Sequence, residues 1–212
     1  MANSDERKIA PVKNNKDKAN TYGAHMSRYK KAIKSECYFE ALLISYAMME
    51  DRLRSYLYYL GCLRTRNSYK FDSNKIKNDI KWIIDTYSGD KNPNLGITSI
   101  TGKMRIVESV QKWYLDGFNN ENGSSYLDEL AACIDVYENP NELISTLDAV
   151  KDWCKYRNEI IHSLLNKNLD SLYSELSERA EEGMILAREI DNHVRRLKSK
   201  NSIRKYLKLK EK

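Results

Sequence analysis

Between Tyr38 and Leu60 the apolar side chains Ala41, Leu42, Met48, Met49, Leu53, Tyr56 and Leu57 return at steps of three and four positions. Only the 3.6-residue period of an α-helix lines such positions up on one broad stripe, so a helix is expected from about Ser35 to Leu63. Little elsewhere in the 212 residues opposes the same outcome, because the chain holds 8 Gly and 3 Pro and no sustained alternation of apolar and polar residues. The reading is therefore all-α. Asp72 or Ser73 caps a shorter helix through Ile76, Ile80, Ile83 and Ile84 that Ser88 and Gly89 end. A periodic segment runs from Ile100 to Phe118, and Ser124 or Ser125 caps another from Tyr126 to Tyr137. Asn139-Pro140 then opens a helix to about Leu165. The last helix starts near Leu169. Together these predict one antiparallel bundle of five or six helices.

Length allows between one and two domains. Residues 1–20 carry few large apolar groups and are expected to be a flexible segment. A single helical domain over 21–199 and a basic tail over 200–212 complete the division. No run approaches 18 apolar residues and no secretory leader opens the chain, so a soluble, cytoplasmic protein without a membrane partner is expected. Cys37, Cys62, Cys133 and Cys154 form no CxxC pair and no Cys/His cluster. They read as buried, reduced thiols, and no metal or other cofactor is expected. Charge is uneven: nine Lys or Arg side chains between Arg195 and Lys212 face the single acid Glu211. Such a tail attracts phosphate backbones, although an anionic surface or simple solubility fits it too.

One compact polar group interrupts an apolar helix: Lys155, Tyr156, Arg157, Asn158, Glu159 and His162, set among Val150, Trp153, Cys154, Ile160 and Leu164. Asn158 and His162, four apart, share a face. Arg157 and His162, five apart, differ by about 140° around an ideal helix. Either Arg157 reaches round, the helix distorts, or a second copy of the helix completes the groove across a twofold axis. In this form, an Arg followed by a polar residue, three more positions and a His on a late helix, the segment resembles the HEPN superfamily (higher eukaryotes and prokaryotes nucleotide-binding domains). The helix holding Glu40-Ala41-Leu42-Leu43 and Glu50-Asp51-Arg52-Leu53 is similar to that superfamily's first long helix, where an acidic position often faces the motif. The resemblance covers roughly Tyr38 to Leu197.

What it implies is a HEPN-like bundle and a metal-independent endoribonuclease with Arg157, Asn158 and His162 in the catalytic site. It also implies a homodimer forming one composite site, RNA as substrate, a toxin or antiviral defence role, and an antitoxin or nucleotidyltransferase partner. Some members carry a Tyr two positions after the motif His that a nucleotidyltransferase modifies. Leu164 stands there in this chain, which counts against that control, and neither Tyr156 nor Tyr173 can be taken as its replacement.

The chemistry agrees independently. A His titrates near neutral pH and moves protons. An Arg grips two phosphate oxygens and neutralises charge that builds on phosphorus. Asn158 can orient either. Glu159 reads as a solvent-facing partner of Lys155, and His25 and His193 as surface histidines. The competing reading is a non-catalytic helical module that binds a nucleotide, RNA or a protein. No Gly-rich phosphate loop, GxSxG or HExxH is present to support ATPase, serine hydrolase or zinc protease chemistry.

Overall fold

The computed structural model describes residues 15–67, 69–89, 96–120, 123–163, 169–200 and 202–207. These form eight helices: α1 Asn15–Lys34, α2 Tyr38–Tyr59, α3 Asn74–Tyr87, α4 Ile100–Leu115, α5 Ser125–Tyr137, α6 Pro140–Ser163, α7 Leu169–Lys200 and α8 Ser202–Tyr206. Among the described residues the only sheet-like pairing is one isolated bridge between Leu63 and Phe71.

Local signals set most helix starts. Ser73 Oγ accepts the Ile76 amide at 3.2 Å, and Ser99 Oγ accepts the Gly102 amide at 3.0 Å, each satisfying a donor that a helix N-terminus leaves open. Asn139 Oδ1 does the same for Glu142 at 3.3 Å, with Pro140 in the first helical position where its missing N–H costs nothing. Ser124 precedes α5 without a side-chain cap. Its hydroxyl instead donates to Asp79 Oδ2 at 2.7 Å and ties α5 to α3.

At the centre α2 lies along α7. Contacts advance in the same direction on both: Ser45 to Ala180, Arg52 to Asp191, then Leu63, just past α2, to Arg204 of α8. The central pair is therefore parallel, which corrects the antiparallel expectation. Short loops force neighbours to run antiparallel, but four helices separate α2 from α7 and return the chain to the same end. The α1–α2 and α6–α7 pairs are antiparallel, with Lys18 beside Asp51 and Arg28 beside Glu40, and with Trp153 beside Arg179 and Glu142 beside Arg196. At the α6–α7 crossing a Cβ on Gly183 would stand 2.5 Å from Trp153 Cζ2, so glycine is required for the indole to lie against α7.

Both chain ends depart from expectation. α1 begins at Asn15, inside the segment read as flexible, and with α8 it raises the count above five or six. Its Lys18 side chain reaches Ser55 Oγ and the Asp51 carboxylate. Part of the basic tail is likewise built into the fold. Ile203 and Arg204 are buried, and the Arg204 guanidinium donates to the carbonyls of Leu63 at 2.9 Å and Arg64 at 3.4 Å while lying 4.1 Å over the Tyr58 ring. A permanent cation at carbonyls just past the C-terminal end of α2 offsets the negative end of that helix. Lys208 to Lys212 lie outside the described residues. Arg204→Ala should cost about 2 kcal/mol, since it orphans buried carbonyls, and lower the melting midpoint by roughly 4–8 °C. An unchanged calorimetric midpoint would refute this role.

Among the described residues no helix is long and apolar enough to cross a membrane. All four cysteines are free, but Cys37 is exposed at the start of α2, contrary to the buried reading, because it precedes the apolar stripe instead of joining it.

Candidate functional site

The site residues expected from sequence sit in the last two turns of α6. Val150, Trp153, Cys154 and Ile160 are buried and fix one face of this segment inward. Trp153 Nε1 donates to the Arg179 carbonyl at 2.7 Å and pins it to α7. Tyr156 adds a second pin, its hydroxyl donating to Glu175 Oε2 at 2.7 Å beneath the Arg179 guanidinium. Burial first, then the Glu175 carboxylate, push that phenol up to about 12. It therefore stays protonated and is spent on packing.

With the inward face fixed, Asn158 and His162 point outward and are exposed, while Arg157 is half-buried at the flank. The helix does not distort: Pro140–Ser163 is α-helical throughout. Arg157 turns toward α2, where its guanidinium lies 4.4 Å from the Tyr46 ring centroid. A cation over a phenol face is held in place by the ring's negative surface. Its Nη1 donates to Asn158 Oδ1 at 3.0 Å, whereas Nε is buried with no hydrogen-bond partner among the described residues. Asn158 thus links the flank carrying Arg157 to the face it shares with His162.

The surroundings are mildly polar. Burial raises the Tyr46 hydroxyl, the Glu50 charge adds to this, and Arg157 opposes it. Burial pushes the Cys154 thiol up to about 11 against the opposing Arg157 charge, so it is no thiolate nucleophile at neutral pH. The acidic residues of α2 are engaged elsewhere. Glu40 pairs with Arg28, Glu50 with buried Lys103 at 2.9 Å, and Asp51 with Lys18, Arg52 and Arg54. None of these carboxylates is hydrogen-bonded to Arg157. α6 rests chiefly on α4 and α7, and Arg157 reaches Tyr46 of α2.

Glu159 is exposed, and Lys155 pairs with Asp152 instead. His25 is exposed. His193 is not: it is buried, with Nδ1 2.6 Å from Glu138 Oε1, and the surface reading fails. Its position was readable, because it lies three after Ile190 and four before Leu197 on the buried stripe of α7. Leu164 lies outside the described residues, as does the side chain of Tyr173. Among the described residues no group of three His, Cys, Asp or Glu could hold a metal ion.

Compared with known protein families, curated proteins and solved structures, the chain finds no match.

Proposed function

We propose that the protein is a metal-independent endoribonuclease of HEPN type, in which Arg157, Asn158 and His162 act on RNA and a second copy of the chain completes the site. One observation carries the reading. A braced guanidinium is coupled through Asn158 to an outward face that bears an exposed imidazole. RNA cleavage without metal needs three things: a base for the 2′-hydroxyl, charge stabilisation at phosphorus, and an acid for the leaving oxygen. His162 takes the 2′ proton while the 2′-oxygen–phosphorus bond forms, Arg157 stabilises the phosphorane charge, and the 5′-oxygen leaves with a proton from a protonated His162. One imidazole cannot be base and acid in the same step, which is the reason for invoking His162 of a second copy across a twofold axis. In a cell such an activity would arrest growth, as a toxin or defence effector does.

The test is incubation of several single-stranded RNAs with purified protein with and without EDTA. The expected result is cleavage in both, leaving 2′,3′-cyclic phosphate and 5′-hydroxyl ends, by a species that sediments as a dimer. Cleavage abolished by EDTA, or RNA bound but never cut, would replace this reading with metal-dependent hydrolysis or with a non-catalytic binding module.

A further inference from the structure

On α7, Arg188, Asp191, Arg195 and Lys198 follow one another at steps of three and four and so share a face. That face borders a cleft of about 650 Å³ between α1, α2 and α7. Six cations line it: Lys18, Arg52, Arg66, Arg188, Arg195 and Lys198, with Asp191 as the one lining carboxylate. Asp191 serves both Arg52 at 2.8 Å and Arg195 at 2.7 Å, and Asp51 serves Lys18, Arg52 and Arg54. Arg188 and Lys198 have no ion pair among the described residues.

The cleft is also short of hydrogen bonds. The Arg52 guanidinium lies 4.0 Å over the Tyr22 ring, yet its Nε is buried with no hydrogen-bond partner among the described residues. Such groups cost free energy until something supplies the missing partner. Burial lowers the Lys18 ammonium against the pull of Asp51, with Arg52 and Arg54 adding smaller contributions. Part of the lining is apolar instead, from Met26, Met48, Ala187 and Val194. A cleft of this size falls in the range that encloses a whole small molecule, far more than a single phosphate fills.

We propose that this cleft binds a nucleotide carrying several phosphates, its phosphates among Arg188, Arg195, Lys198 and Arg52 and its base against the Met26, Met48 and Val194 side. A small ligand is favoured over an RNA strand by the concave, three-helix enclosure and by position. On α2 the cleft uses Met48, Arg52, Ser55 and Tyr59, whereas Tyr46, which braces Arg157, is turned about 160° from Met48 around the helix. The two sites therefore lie on different faces of α2. Because α1 supplies Lys18, Tyr22 and Met26, the ligand also holds α1 against the bundle.

The experiment is calorimetric titration and thermal melting of the full chain with ATP, GTP, tripolyphosphate, orthophosphate and a short single-stranded RNA. A nucleoside triphosphate at a hundredfold excess over its Kd should raise the midpoint by about 5 °C or more. It should bind more tightly than tripolyphosphate, and orthophosphate should bind barely at all. Arg188→Glu with Lys198→Glu should weaken nucleotide binding by about tenfold or more, with the milder Arg188→Gln and Lys198→Gln pair falling between; circular dichroism checks that both fold. No midpoint shift, unchanged affinity in the charge-reversed pair, equal binding of tripolyphosphate, or tighter binding of RNA lost in that pair would each overturn the proposal. None of these readouts needs RNA to be cut, so the result is independent of the ribonuclease reading.

Discussion

His162→Ala should lower the rate of RNA cleavage by about 10²- to 10⁴-fold, the usual worth of positioned proton transfer, with no loss of helicity or of melting midpoint. The second half follows from its surroundings: the side chain is exposed at the end of α6, so its removal opens no cavity. Arg157→Ala should cost roughly 3–4 kcal/mol of transition-state stabilisation, by analogy with a single oxyanion donor. It should also cost a little stability, because a cation–π contact on Tyr46 is worth about 0.5–2 kcal/mol. The two variants are thus separable. Arg157→Lys restores charge but not the planar fork that can stack on Tyr46 and reach Asn158 together, and should recover little activity. Tyr46→Leu keeps the apolar bulk and removes the ring face. A several-fold fall in rate with the midpoint nearly constant would mark Tyr46 as a positioning residue. Alanine variants at both Arg157 and His162 that cut RNA at the parental rate would end the catalytic assignment.

The helices were legible where local chemistry writes its own punctuation. Ser73, Ser88, Asn139 and Pro140 each supply or remove a backbone partner within four residues, and the helix limits fall beside them. Direction was not legible. Whether α7 runs with or against α2 depends on where four intervening helices deliver the chain, and no residue in either helix encodes that. Polar residues on buried stripes were misread for one shared reason. Lys18 is four before half-buried Tyr22 and His193 is three after buried Ile190, so each shares a face with a side chain turned toward the bundle, while Arg204 sits next to buried Ile203 in a helix too short to show a stripe. Assigning them to solvent weighted residue type over position, yet a polar group is tolerated inside whenever a partner is waiting. Those partners, Asp51, Glu138 and the Leu63 carbonyl, are 33, 55 and 141 positions away. The same distance hid the cleft, since its cations come from α1, α2, the segment after α2, and α7. Arg157, Asn158 and His162 were legible because one helix carries all three, although only the fold shows Arg157 resting on Tyr46.

Glu138→Ala should destabilise the protein more than any change in the candidate site. The Glu138 side chain is fully enclosed, and its carboxylate gathers donors from three elements. The Tyr56 hydroxyl donates to Oε2 at 2.9 Å from α2, the His193 ring nitrogen meets Oε1 at 2.6 Å from α7, and the Asn139 amide donates to Oε1 at 3.0 Å at the head of α6. Arg196 stands 3.6 Å from Oε1. Gln111 Nε2 extends the chain from α4 by donating to the Tyr56 hydroxyl at 3.3 Å. Burial and the neighbouring Glu138 charge hold the Tyr56 phenol well above its ordinary range, so it is always available as a donor. Removing the carboxylate strands Tyr56 and His193 where water does not reach, and breaking a buried charged network in this way costs about 3–5 kcal/mol. At roughly 2–4 °C per kcal/mol for a chain of this size, the midpoint should fall by about 6–20 °C. Glu138→Gln keeps the shape and one acceptor but turns an N–H₂ toward one of the donors, so its loss should be smaller, about 1–3 kcal/mol. Differential scanning calorimetry of the two variants gives the answer. A Glu138→Ala midpoint within about 2 °C of the parent, or a Gln variant worse than Ala, would show that the network is incidental to how α2, α6 and α7 are held together.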